Sequence, residues 1–380
     1  MNRRHFFGHL GAGFAAAAFP TLARAMPEAA IGPSVIAAWR GATGSAKELG
    51  DYVGILRPDW ERGQLEIRLA LAVPERVHGL AAFADGGFIA VAYRPGKWLL
   101  RVNAGGEIAA RRSLRDEDEH RTLDGHAVLS PLGDALITTE TNAASGEGWA
   151  SVRDPMTLKR LAQWRTHGIE PHDARFDRSG ALLVANGGIL RGPGDRKRDL
   201  DRMSSSLVRL DIRNGELLGQ WRLSDPRLSL RHLAVSDVPT PGGIPLVGIA
   251  MQAEHDDDAQ RRAAPILATW DGEGLVIPSY MPLGAGYCSD IAPGPNGGFY
   301  LNGERSHRAF LWSPENPSEL LVIAELERAG ALATLRQDGH NGVVIAASRG
   351  LARWHPTMAP SIIRWPAAMT PDNHWIAMPA

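Results

Sequence analysis

The sequence predicts an all-β protein, a single seven-bladed β-propeller closed by strands from both termini. Three observations predict it. Apolar runs are short, β-rich and each sits close behind a glycine turn; a strand–turn–strand unit recurs six times; and the two ends of the chain hold the strands of a seventh unit.

The runs "FIAVAY", "ALITTE", "ALLVAN", "PLVGIA", "GFYLNG" and "GVVIAAS" are strand-length, and with 42 Gly and 26 Pro the chain is too often punctuated for long helices. Units open near residues 78, 126, 172, 232, 289 and 331. Each is followed by a second strand pair, as in "WASVRDPMTLKRLAQW" and "SSLVRLDIRNGELLGQW", where Asp-Pro and Arg-Asn-Gly make the hairpins. Four antiparallel strands at a spacing of roughly fifty residues describe a propeller blade. "DNHWIAM" (372–378) supplies the innermost strand of the seventh blade, and "SVIAAWRG", "YVGIL" and "LEIRLALAV" supply its other three. Pairing strands from both ends covers edges that would otherwise stay open.

Two domains are expected: a signal peptide over 1–25 and the propeller over 26–380. Arg3 and Arg4 precede Phe6 and Phe7, then a small, weakly apolar run and Ala23-Arg24-Ala25, the pattern of a twin-arginine export signal. The run falls short of the ~20 apolar residues that span a bilayer. The expectation is a chain exported folded to the periplasm, with no membrane span after cleavage. Loss of Arg3, Arg4 and Arg24 with the leader takes 41 basic residues to 38, against 42 acidic. That balance leaves no basic footprint for nucleic acid. One cysteine, Cys288, allows no intrachain disulfide.

Two polar stretches interrupt the repeat, "RGPGDRKRDLDRMSSS" (191–206) in the third unit and "AEHDDDAQRRAAP" (253–265) in the fourth. Both read as solvated insertions between second and third strands. A cation site at His255 and Asp256 to Asp258 is the alternative use of the second.

In a propeller the first strand of each blade lines the axis, and its start lies beside the end of the second. First-strand starts carry His78, His126, His172, His232, Ser289 with Asp290, an apolar stretch near Ala331, and His374. Second-strand ends carry Tyr93, Glu140, Asn186, Gln252, Asn302 and Ser348. A lone histidine at a strand end is usually a structural hydrogen-bonder, and inheritance from an ancestral blade also repeats residues without function. Five imidazoles at one topological position also suit a transition metal, iron or copper, with Glu140 completing or orienting the site. Glu170 and Asp173 either hold His172 in one tautomer or cap the turn around Pro171. Cys288 reads as a small buried hydrophobe, with a thiolate ligand as the alternative. The 11 Trp, among them Trp164, Trp221 and Trp312, read as inter-blade packing.

No nucleophile elbow, Walker loop, H-E-x-x-H helix or haem-attachment motif is present. Three readings stay open: a metal-handling protein, a divalent-cation-dependent hydrolase or lactonase using Glu140, Asn186, Asn302 and Asp290 with a histidine base, and a non-catalytic docking platform.

The stretches "GHAVLSPLGDALITTE", "GIEPHD", "LLVANGGI", "LSLRHLAV" and "DNH" together resemble the exported proteins grouped as domain of unknown function 1513. The resemblance spans most of the chain after the leader. It implies a periplasmic propeller encoded beside imelysin-like and di-haem peroxidase-like proteins in clusters linked to iron acquisition, so those proteins are the partners it suggests. The family's recurring histidines fall on His78, His126, His172, His232 and His374. Relatives often have Gly-His-Gly at the second of these; Ala127 follows His126 here.

Overall fold

The computed structural model describes residues 33–41, 49–239, 243–280, 282–337 and 340–378; the expected leader, 1–25, lies outside them. Residues 31–380 form one compact unit, and it is the expected seven-bladed propeller. Six four-stranded antiparallel sheets follow in chain order, blades 1 to 6, over 77–113, 121–169, 171–221, 228–276, 290–325 and 332–364. Blade 7 joins the two ends. Gln64–Val73, Gly50–Asp59 and Val35–Gly41 are its outer three strands, and Met369–Pro371 with Ile376–Ala377 pair against Val35–Gly41 as the innermost.

The blades are held face to face by the two-residue period of a strand. In blade 7, Val35, Ala37 and Trp39 pack against blade 6, while Ile36 and Ala38 pack against blade 1. In blade 1, Phe88 and Ala90 face blade 7, and Ile89 and Val91 face blade 2. Both faces of these strands are covered, which is why they read as unbroken apolar runs. Seven such buried clusters bridge the seven pairs of neighbouring blades. Trp164 and Trp221 donate indole N–H bonds into the next blade, to the carbonyls of Ile212 and Glu273; Trp312 is buried between blades 4 and 5.

Both insertions stand where expected. A hairpin, Leu190–Gly192 with Arg196–Arg198, separates the second and third strands of blade 3. A short helix, Asp258–Ala263, does so in blade 4. The acids of the second are engaged: His255 bonds Asp225 at 3.0 Å, Asp256 pairs with Arg227 at 2.6 Å and Asp258 pairs with Arg261 and Arg262.

Ring closure makes the last strand a structural lock. Trp375 is 4% exposed and packs edge-on against Trp365 in the cluster between blades 6 and 7. Truncating a buried Trp costs about 3–5 kcal/mol. Trp375→Ala should therefore lower stability by about 3 kcal/mol or more in urea unfolding, and a loss below about 1 kcal/mol would show that the ring does not depend on this contact.

Candidate metal centre

The histidines reach the axis because the innermost ladder breaks beside each of them. Val77 pairs with Ala92 and Gly79 with Val91, leaving His78 as an extra residue. Pro171 pairs with Asn186 and Asp173 with Ala185, leaving out His172 in the same way. His126 falls in the gap between Leu123 and Ala127, and His232 in the gap between Leu230 and Leu233. His374 lies between the two short strands that pair with Val35–Gly41. A bulge re-aims a side chain that regular pairing would send onto a blade face. Glycine makes room for it: Gly125 has φ +101°, and a Cβ there would stand 2.8 Å from the His78 ring.

All five rings are buried. His78, His126 and His374 form a near-equilateral triangle, with ring centres 4.8, 4.6 and 4.7 Å apart. Each turns Nδ1 to a carboxylate from another blade. His78 donates to Asp372 at 3.3 Å, His374 donates to Asp290 at 3.0 Å, and His126 Nδ1 lies 3.6 Å from Asp173. With Nδ1 carrying the proton, the Nε2 lone pairs are free. All three Nε2 atoms are buried without a hydrogen-bond partner.

Those carboxylates also accept from backbone N–H groups of their own and neighbouring blades. Asp173 accepts from Ala174 N at 2.8 Å and, across the blade boundary, from Leu233 N at 2.9 Å. Asp290 accepts from Ile291 N at 3.0 Å and Leu332 N at 2.7 Å. Their positions are fixed by the fold, so the ring orientations they set are fixed too.

The other two histidines form a chain. Arg94 Nη1 donates to His172 Nδ1 at 2.9 Å, so His172 donates through Nε2 to His232 Nε2 at 2.8 Å. His78, His126, His232 and His374 can each bring a ring nitrogen within 4.8 Å of the others. In this hydrogen-bond pattern His232 holds a proton on Nδ1, and it ligates through Nε2 only by exchanging His172 for the ion. The cluster thus offers three unpartnered nitrogen donors and a fourth position that His232 or an outside ligand can fill.

The expectations for three carboxylates need correction. Glu140 is fully buried but elsewhere, accepting from Arg153 and Thr138 at 2.8 Å each; it is an ion-pair partner inside blade 2 and completes no site. Glu170 and Asp173 do not hold His172. Asp173 Oδ1 accepts from Arg175 at 2.7 Å and faces His126 at 3.6 Å, and Glu170 accepts from Arg191 at 2.6 Å and Arg231 at 3.0 Å, with Arg94 at 3.6 Å. Of the second-strand ends, Tyr93, Gln252 and Ser348 line the cavity above the histidines. Asn186 is buried away from it, donating to the Thr166 carbonyl and Ser206. Cys288 is buried in an apolar cluster and donates to the Asp290 carbonyl at 3.1 Å, with burial pushing its thiol well up.

Burial, followed by the neighbouring imidazoles and arginines that oppose a further proton, holds His78, His126, His172 and His232 well below the usual imidazole value. They are neutral at pH 7, the form that binds metal. Burial likewise pushes Asp124 up to about 7. Burial opposes ionisation of Glu170, but Arg231, Arg191 and Arg94 outweigh it and hold its carboxyl at about 2.

The signs give a pH prediction. Between the folded imidazole values and about 6.5, the unfolded chain binds protons that the folded chain refuses, so stability falls as pH falls. Asp124, and Asp173, whose carboxyl burial also pushes up, work in the opposite sense, but they are two groups against four. In metal-free protein the unfolding free energy should drop by at least about 2 kcal/mol from pH 6.5 to 5. Denaturant midpoints that stay level or rise over that window would contradict it.

Comparison with known proteins agrees with this fold. Virginiamycin B lyase from Staphylococcus aureus superposes with a TM-score of 0.53 at 10% identity, covering 76% of this chain and 84% of that one. Kuenenia stuttgartiensis hydrazine synthase gives 0.52 at 11% identity, covering 84% and 93%. At such identities the likeness is one of fold alone. No curated protein matches in sequence. A family profile does, over residues 71–378, and with that span the chain belongs to the family described as protein of unknown function DUF1513.

Proposed function

We propose that this chain is a metal-handling propeller that binds iron, or in second place copper, at the histidine cluster in support of metal uptake. The observation that carries the reading is the triangle of three buried imidazole rings, each with an unpartnered Nε2 and each facing a carboxylate through Nδ1. With metal–nitrogen bonds of about 2.1 Å, three imidazoles on one ion at angles from roughly square to tetrahedral set their ring centres about 4.5–5.2 Å apart. The separations found here need little adjustment. Imidazole donors suit iron, copper and zinc better than Ca²⁺.

Export by the twin-arginine route, a periplasmic site of action, and partnership with imelysin-like and di-haem peroxidase-like proteins belong to the same proposal. They rest on Arg3 and Arg4 in the leader and on the family resemblance. The oxygen-donor hydrolase is less well supported, because Glu140 is committed to Arg153 and Asn186 to Thr166 and Ser206. Nothing among the described residues favours the docking platform over these.

Protein isolated untagged from periplasm should carry a transition metal by elemental analysis. His126→Ala and His374→Ala should each weaken binding at least about 100-fold, and Asp372→Asn about 10- to 100-fold, since it leaves the ligand but loosens its brace. Glu140→Gln should cost stability, breaking a buried ion pair, while leaving the affinity of the folded fraction unchanged. Failure of iron, copper and zinc alike to bind or to raise the melting temperature would overturn the reading.

A further inference from the structure

The walls above the cluster are charged oppositely to the groups behind it. A cavity of about 1450 Å³ opens over His78, His172 and His232, walled in part by both insertions. Ten Arg or Lys line it against six Asp or Glu, in a chain whose overall formal charge is −1. Of the three carboxylates that face the imidazoles, Asp173 and Asp290 lie outside the lining, and Asp372 lines the cavity, where it pairs with Arg76.

Two details make this more than a wet charged rim. Arg94, Arg191 and Arg231, with side chains 11%, 15% and 3% exposed, share one carboxylate, Glu170. Asp195 answers a second of those charges, at 3.4 Å from Arg94 and 3.2 Å from Arg191, so three guanidiniums have two carboxylates in ion-pair range, with Asp124, pushed up to about 7, as the next acid. A desolvated cation without a counter-charge is costly. Higher on the wall, the Arg305 guanidinium stands 4.7 Å from the Tyr287 ring centre, with no carboxylate in ion-pair range among the described residues. Arg40, also lining the cavity, is exposed and has none either.

A bare divalent cation entering such a funnel meets an excess of positive charge, whereas an anion is drawn in. The geometry points to an oxyanion subsite above the metal: we propose that the funnel binds a small di- or tricarboxylate, whose remaining oxygens fill the open coordination position. Planar guanidiniums grip carboxylates in pairs of parallel hydrogen bonds, as they also grip phosphate. The ion then arrives and leaves as an anionic complex. The bridging part of this inference rests on the metal reading; the anion site itself does not.

Calorimetry on the full mature protein separates the two. Citrate titrated into metal-free protein should bind, weaken several-fold as salt rises from about 50 to 300 mM, and bind at least tenfold more tightly once Zn²⁺ is loaded as a redox-inert probe. Arg40→Ala combined with Arg305→Ala alters two exposed residues outside the metal cluster; it should keep the melting temperature, keep Zn²⁺ affinity, and weaken citrate at least threefold. Inorganic phosphate should bind more weakly than citrate; the reverse order would overturn the carboxylate assignment. Intact Zn²⁺ binding with no citrate binding in either state, or citrate binding that the double variant leaves unchanged, would sink the anion subsite alone. Citrate binding without any metal binding would sink the metal reading and leave the subsite standing.

Discussion

The break in the innermost ladder beside each histidine is the constraint on which the centre depends. In a regular strand, successive side chains point to opposite faces, and in this propeller both faces are inter-blade core. A histidine in register would be buried among Leu, Val and Ala. The extra residue at His78 and His172, and the wider gaps at His126, His232 and His374, aim the rings at the axis instead. Broken pairing strands backbone N–H groups, and Asp173 and Asp372 accept from three of them, on Ala174, Leu233 and Asn373, while Asp290 accepts from Ile291 and Leu332 in the regularly paired blades 5 and 6. The same three carboxylates brace the ring nitrogens. At Asp173 and Asp372, repair of the ladder and preparation of the donors are one arrangement.

Much of this was legible in the sequence, for a physical reason. Strand period, glycine turns and repeat spacing are local, so the blades, the ring closure by 372–378 and both insertions could be placed from residues alone. The five histidines were legible because they recur at one topological position. The braces were not, because each carboxylate serves a histidine on a different blade, and nothing local pairs Asp372 with His78 or Asp173 with His126. A signal was nonetheless present. His172-Asp173, Asp372-Asn373-His374 and Asp290 all place an acid at or beside a first-strand start. Glu140 misled because it occupies the right strand end, while its side chain turns inward to Arg153 of the same blade.

The insertions give the centre its second character. Arg191 and Lys197 from the blade 3 hairpin, and Arg261 and Arg262 from the blade 4 helix, extend the wall well beyond the disc. Asp173 and Asp290 behind the imidazoles and an excess of bases over acids in the wall above them make the axis electrically polar. Such polarity suits a cation and an anion held together better than either alone. The two propellers compared above share only 10–11% identity with this chain, and the chemistry of a propeller lies in the side chains at its axis, not in the ring.

X-ray absorption of the protein loaded with a single equivalent of iron tests the central claim most directly. The account predicts a mononuclear ion with at least three imidazole nitrogens at about 2.0–2.2 Å, and loss of imidazole scattering in His374→Ala. A spectrum of oxygen ligands alone, unchanged by that substitution, would contradict it.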